Sequence, residues 1–269
     1  MSRTPDTSFV PELDARQRAM LAEMGVRVWA PKAPAAAQPA ATTVVTPPTT
    51  PARAAAPVSR QTPTPPAAPE PARQAGPASP VATLDWPELR AAVAGCEACG
   101  LCQGRTQTVF GTGDEQADWM VVGEAPGENE DLQGEPFVGA AGQLLDNMLK
   151  AVGRSRTGQG AEGAFITNVL KCRPPANRNP QADEVASCEP YLARQVALVK
   201  PKVIVAMGRF AVQALLKSSE PIGRLRGQVH HYEGVPVIVT YHPAYLLRTP
   251  TDKGKAWADL CLAMAQLPG

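Results

Sequence analysis

Three segments of the 269-residue chain gather side chains that could bind and cleave a polar ligand. Gly123-Glu124-Ala125-Pro126-Gly127-Glu128-Asn129-Glu130-Asp131 is dense in carboxylates and is followed by Gly134-Glu135-Pro136-Phe137-Val138-Gly139. Further on come Thr167-Asn168 and Tyr241-His242-Pro243-Ala244-Tyr245-Leu246-Leu247-Arg248. A Gly/Pro turn lets successive backbone N–H groups point at one ligand. Glu124 and Glu130 offer an acid or base, Asn168 an amide that both donates and accepts, and His242 a donor whose charge can change near neutral pH. Each residue also has a plainer role: Glu130 as a solvated loop carboxylate, Asn168 as a turn former, His242 as a turn histidine, Phe137 as a core ring. The case for chemistry rests on their coincidence, because all of them follow runs that read as strands.

The cysteines make a second constellation. Cys96 and Cys99 form a C-x-x-C pair, and Cys172 and Cys188 flank a proline-rich loop far along the chain. Four thiolates from two distant segments suit a tetrahedral zinc or an iron–sulfur cluster, and spacing alone does not separate the two. Cys102 extends the first pair to a C-x2-C-x2-C run, whereas Cys261 sits in an apolar helical stretch and reads as a core thiol.

The elements that must position these groups can be read from the apolar pattern. Residues 119–122, 165–167, 203–207 and 235–240 read as buried strands, each followed by a Gly, Asn or Pro signal and then a helical pattern. Helices are expected over 142–152, 182–199, 209–216 and 253–267, with Pro190 kinking or dividing the second. Alternating β and α elements predict an α/β fold: a three-layer α/β/α sandwich around a central, mostly parallel four-stranded sheet. In such a sheet ligands bind at the carboxyl ends of the strands, where the three segments fall.

The chain ahead of this domain has a different character. About half of its 29 prolines lie between residues 31 and 80, among Ala, Thr, Ser and Gln, so residues 30–83 read as a disordered linker. Residues 1–29 carry Leu13, Met20, Leu21, Met24, Val26 and Trp29 at roughly helical spacing, which makes them a short helical docking segment or, more plainly, a frayed helix. Residues 84–269 form the folded domain, long enough to bury about 70% of its unfolded surface. No apolar run is long enough to span a bilayer, and the first residues lack a secretory h-region, so a cytoplasmic location is expected. The formal charge is +1, so contact with nucleic acid must come from local basic patches. A Walker lysine loop, a GxGxxG fingerprint and a G-x-S-x-G elbow are all missing, which argues against nucleotide-binding and α/β-hydrolase readings.

From about Cys96 onward the sequence resembles the family 4 uracil-DNA glycosylases, the iron–sulfur members of the uracil-DNA glycosylase superfamily. Five motifs stand in that family's order and approximate spacing: Gly123-Glu124-Ala125-Pro126-Gly127, Pro136-Phe137-Val138-Gly139, Thr167-Asn168, Lys171-Cys172-Arg173-Pro174-Pro175, and the His242 to Arg248 segment. The resemblance implies hydrolysis of the bond between deoxyribose and uracil, releasing the base and leaving an abasic site in base excision repair. It implies that His242 stabilises the developing uracil anion, Asn168 reads the base edge, Phe137 stacks on the flipped base and the backbone at Ala125 meets a uracil oxygen. Glu124 and Glu130 are then the residues to orient water or stabilise the cationic sugar, with Asp131 structural. Other branches of the superfamily carry Asp or Asn where this chain has Ala125.

The same resemblance implies that Leu246 and Leu247 wedge into the base stack, with Arg248 on a phosphate and Lys171, Arg173 and Arg178 presented to DNA. It favours a [4Fe–4S] cluster on Cys96, Cys99, Cys172 and Cys188, with Cys102 leaving open which two of the first three thiols ligate. A related branch that captures uracil-DNA covalently has an Arg- and His-rich insertion after its second strand. This chain lacks it, so turnover is expected. The expected partners are uracil-containing DNA and, through the N-terminal segment, a replication or single-strand-binding protein; the chain is expected to be a monomer, nucleoid-associated if bacterial. The rival reading is a non-catalytic nucleic-acid-binding protein with a four-cysteine zinc site.

Overall fold

A computed structural model describes residues 80–267 and, before them, Glu23 alone. The remainder of the proposed docking segment and linker lies outside the described residues. The linker's last four residues, Pro80–Thr83, form a 3-10 turn, and Val81 and Leu84 are partly buried against the core. These four residues are therefore structured, although their composition reads as linker.

The first helix, α1 (Trp86–Ala94), starts with a reciprocal cap: the Glu88 N–H donates to Asp85 Oδ1 at 2.9 Å and the Asp85 N–H to Glu88 Oε2 at 3.0 Å. There follow β1 (Thr112–Gly113), β2 (Trp119–Gly123), α2 (Glu128–Gln133), α3 (Gly139–Ala151), β3 (Ala164–Asn168), α4 (Ala182–Val199), β4 (Val203–Met207), α5 (Arg209–Leu216), α6 (Ile222–Leu225), β5 (Val229–Tyr232), β6 (Val235–Thr240), α7 (Pro243–Arg248) and α8 (Lys253–Met264). The strands join in the order β1-β3-β2-β4-β6-β5. The inner four are mutually parallel, while β1 runs antiparallel to β3 and β5 antiparallel to β6.

The sheet thus has six strands where four were expected. Both additions are edges. β1 is only two residues long, and β5 reads Val-His-His-Tyr with alternate residues exposed, so neither presents the continuous apolar run of a strand covered on both faces. The inner strands do. Along β2, Met120 and Val122 join one core with Leu89, Leu192, Val196 and Val212, whereas Trp119 and Val121 join the other with Leu145, Met148, Trp257 and Leu260. This period-2 alternation puts α1, α4 and α5 on one face and α3 and α8 on the other, giving the three expected layers.

Pro190 does not divide α4, which runs unbroken for 18 residues. An interior proline costs a helix about 3 kcal/mol, and here Cys188, Leu192, Val196 and Val199 all bury on one face of α4 to offset it. The register brings the strand ends level: Gly123 pairs with Asn168 across β2 and β3, and Met207 with Thr240 across β4 and β6. The loops leaving those four residues carry the site.

Candidate active site

A cleft of about 960 Å3 opens over the carboxyl ends of β2, β3, β4 and β6, lined among others by Glu124, Ala125, Phe137, Asn168, Arg209 and His242. Asn168, the last residue of β3, is 2% exposed, and its side-chain amide makes no hydrogen bond within the chain among the described residues. Its amide can be reached from the cleft whose wall it forms, where it can both donate to and accept from a ligand. Gly123 makes room for it. A Cβ there would stand 2.4 Å from both Asn168 Oδ1 and Phe137 Cζ, closer than any packed atoms can approach.

Phe137 is 4% exposed and stacks on His242, with ring centroids 5.3 Å apart and planes 26° from parallel. Its backbone has φ of 55°, a left-handed conformation that is strained for a residue with a side chain. Arg156 supports that turn by donating to Phe137 O at 2.9 Å and Pro136 O at 3.2 Å while its Nε pairs with Asp146. Sequence reasoning missed Arg156, which lies 19 residues away in a polar loop.

His242 caps α7. The Ala244 N–H donates to His242 Nδ1 at 3.2 Å, so the neutral imidazole carries its proton on Nε2. Burial, and then the positive charge of Arg248, push its pKa down to about 4. The ring is therefore a neutral N–H donor on the cleft at physiological pH.

The two glutamates divide sharply. Both oxygens of Glu130 are bound to backbone, Oε2 accepting from the Gly127 N–H and Oε1 from the Val138 N–H, each at 3.0 Å. Glu130 thereby clamps the loop after β2 to the turn that holds Phe137. Glu124 accepts no hydrogen bond from within the chain among the described residues; burial raises its pKa, and Arg209 across the cleft opposes that rise. Asp131 is 2% exposed and accepts from the Thr106 N–H at 3.0 Å, fastening α2 to the segment before β1.

Four residues expected to face DNA stand elsewhere or are already paired. Leu246 is 0% exposed and packs in the core beneath α7, whereas Leu247 is 43% exposed. One residue along a helix is a rotation of about 100°, so only one of two adjacent leucines can face outward. Lys171 is 2% exposed and bound on all sides, so it presents nothing to DNA. Arg173 bonds Asn177 Oδ1 at 2.8 Å and lies 3.5 Å from Glu128. Arg178 lines the cleft but is held by the Glu184 carboxylate, whose pKa this pairing lowers. Arg248 and Arg209 line the cleft as well, both exposed.

The thiols gather at a second, smaller cavity on the α1 and α4 side of the sheet. Cys96, Cys99, Cys102, Cys172 and Cys188 all line it, together with Arg105 and Tyr191, while Cys261 lies on α8 in the opposite core. Arg105 donates to Cys172 Sγ at 3.2 Å and to Cys96 O at 2.7 Å, a link between the two cysteine segments that the sequence did not signal. Burial raises the pKa of Cys99 and Cys172 and takes that of Cys188 up to about 11. Among the described residues no three His, Cys, Asp or Glu side chains stand close enough to hold a single metal ion.

The family model of the uracil DNA glycosylase superfamily matches residues 110–262, which contain the whole cleft. The chain belongs to the uracil DNA glycosylase superfamily. Within this superfamily it is 47% identical over 163 residues to a type-4 uracil-DNA glycosylase of Archaeoglobus fulgidus, covering 58% of this chain and 79% of that one. It is 44% identical to the type-4 enzyme of Sulfurisphaera tokodaii over 61% of this chain and 76% of that one. For the type-4 enzyme of Pyrobaculum aerophilum the identity is 41%, over 66% of this chain and 93% of that one.

Proposed function

We propose that the chain is a DNA repair enzyme that hydrolyses the N-glycosidic bond of uracil in DNA, releasing free uracil and leaving an abasic site for base excision repair. The observation that carries this reading is the amide of Asn168, without a hydrogen-bond partner among the described residues, on the cleft wall between the Phe137–His242 ring pair and the loop after β2. Uracil presents an acceptor at O4 beside a donor at N3, which one amide matches; cytosine presents the reverse pattern and would leave a buried pair unmatched. Phe137 gives the extruded base a face to stack on.

As the glycosidic bond stretches, negative charge moves onto the base and positive charge onto the sugar. The His242 Nε2–H donates to the oxygen where the first accumulates, without having to transfer a proton. Glu124 is the carboxylate left free to hold the attacking water and face the cationic sugar, with Arg209 favouring its ionised form. Glu130 acts through the loop it clamps. Among the described residues no lysine lines the cleft, so a Schiff-base route to strand cleavage has no lysine nucleophile from them. Leu247 is the wedge that fills the vacated stack, and Arg248 the phosphate contact beside it.

The cavity's donor set of five thiols, Cys172 and Cys188 buried and the other three partly so, with an arginine donating to one sulfur, fits an anionic iron–sulfur cluster. Cys96, Cys99, Cys172 and Cys188 would hold a [4Fe–4S] cluster that ties the segment before β1 to the loop after β3 and to α4. Residues 1–29, on the tether of residues 30–79, would serve as a docking segment for a replication or single-strand-binding protein and leave the enzyme a monomer. Incubating the purified chain with a uracil-containing oligonucleotide and then with alkali tests the catalytic reading. Breaks at uracil only after alkali are expected, and breaks before alkali or none after it would overturn the reading.

A further inference from the structure

Lys171 is a motif residue that the proposed chemistry leaves unused, and its surroundings are unusual. It is 2% exposed, and its ammonium donates at 2.7 Å to each of three acceptors: Thr167 Oγ1, Asn168 O and Gln195 Oε1. None of these is a carboxylate. A methionine of similar length would fill the same space without the cost of burying a charge, so the ammonium is worth its cost only for what it holds. Thr167 and Gln195 continue the network, both donating to Phe110 O at 2.9 Å, and the Lys171 carbonyl accepts the Val109 N–H at 2.8 Å. On the other side of the same turn, the Val169 and Leu170 N–H groups donate to Gly123 O and Glu124 O at 3.0 and 3.1 Å.

We propose that Lys171 is a positioning residue for base recognition: its buried ammonium fixes the backbone of Asn168 to Gln195 on α4, the helix that also carries Cys188. The inference rests on the reading of Asn168 as the residue that meets uracil. Among the described residues Asn168 has no side-chain hydrogen bond to hold its amide, so its aim is set by its backbone and by packing against Gly123 and Phe137. The ammonium sets the backbone part. Because Cys172 directly follows Lys171 and Cys188 lies two turns before Gln195 on α4, the base pocket and the thiol cage share this anchor.

The test uses the full chain with its iron content intact. Lys171→Met removes the ammonium and keeps the stem; Gln195→Met removes the α4 anchor at a position distant in sequence from any thiol. Each should slow single-turnover uracil release by about 10- to 100-fold, the range for a displaced recognition group, and weaken inhibition by free uracil by a similar factor. Oligonucleotide affinity and the absorbance of bound iron should be unchanged, and the double variant should be no slower than the worse single one. A merely structural role would lower the melting temperature and leave uracil inhibition alone. Either variant, folded and iron-loaded, releasing uracil at the unaltered rate overturns the proposal. Loss of iron from both also overturns it, since the network would then support the cage and not Asn168. If the unaltered chain releases no uracil, the functional reading itself fails and takes this inference with it.

Discussion

The neutrality of His242 makes a prediction that pH can test without any substitution. Its pKa is held at about 4 against an ordinary 6.5, by burial first and by Arg248 second. A native pKa depressed in this way means that the unfolded chain binds more protons between pH 4 and 6.5, so stability rises with pH across that window and is fully present above it. The difference of about 2.5 pH units corresponds to about 3 kcal/mol, lost as the pH falls from 6.5 through 4. The single-turnover rate should likewise climb as Glu124 ionises and His242 loses its proton, then level off once both have done so. Removing the donor with His242→Ala should lower that plateau by about 10²- to 10³-fold, the effect of losing one preorganised oxyanion donor, while oligonucleotide binding persists. The assay is rapid-quench release from a short uracil-containing duplex, read at several pH values for both proteins. A rate in the unaltered protein that falls as pH rises through 6 to 7, with that fall missing in the variant, would show an imidazolium at work and refute the reasoning.

Three further outcomes follow from the same geometry. Gly123→Ala should cost about 10²-fold in release, the scale for a misplaced catalytic group, because its Cβ would displace both Asn168 Oδ1 and Phe137 Cζ; kinetics on the folded variant check this. Leu246→Ala should destabilise the fold by about 2–5 kcal/mol, as for a fully buried leucine, whereas Leu247→Ala should leave the melting temperature unchanged and slow release from duplex DNA. Cys172→Ser should abolish the broad absorbance near about 400 nm expected of a thiolate-held cluster, while Cys261→Ser should retain it; the opposite pattern would move the cluster elsewhere.

The parts of the fold legible in the sequence were those written as long apolar runs. β4 and β6 begin and end where the runs do, and α4 and α5 match their patterns to the residue, because burial on both faces of a sheet, or on one face of a helix, leaves a strong period. The short elements were not legible. α2 and α7 lie inside motif segments whose Gly, Pro and carboxylates read as loop, and β5 carries two histidines on an edge. At the site, the cleft assembled from residues marked by type and position, but partners distant in sequence were invisible. Nothing near Lys171 signals that Thr167 and Gln195 will enclose it, and the family resemblance set it with Arg173 and Arg178 against DNA. The saturation of Glu130 by two backbone donors, the support of Arg156 under Phe137 and the bond from Arg105 to Cys172 likewise depend on turns that bring separate loops together.

The central claim is that one amide, on a wall built by β2 and β3, recognises uracil so that the base can be cut from the sugar. Its most direct test is chromatographic measurement of the free base released in a single turnover from oligonucleotides bearing uracil, cytosine or thymine at one position, by the unaltered chain and by Asn168→Asp. The unaltered protein should release uracil and neither cytosine nor thymine, and Asn168→Asp should lose uracil release by about 10²-fold or more, the scale for an unmatched hydrogen-bonding group. Uracil release by Asn168→Asp at the unaltered rate, or no free uracil from either protein, would contradict it.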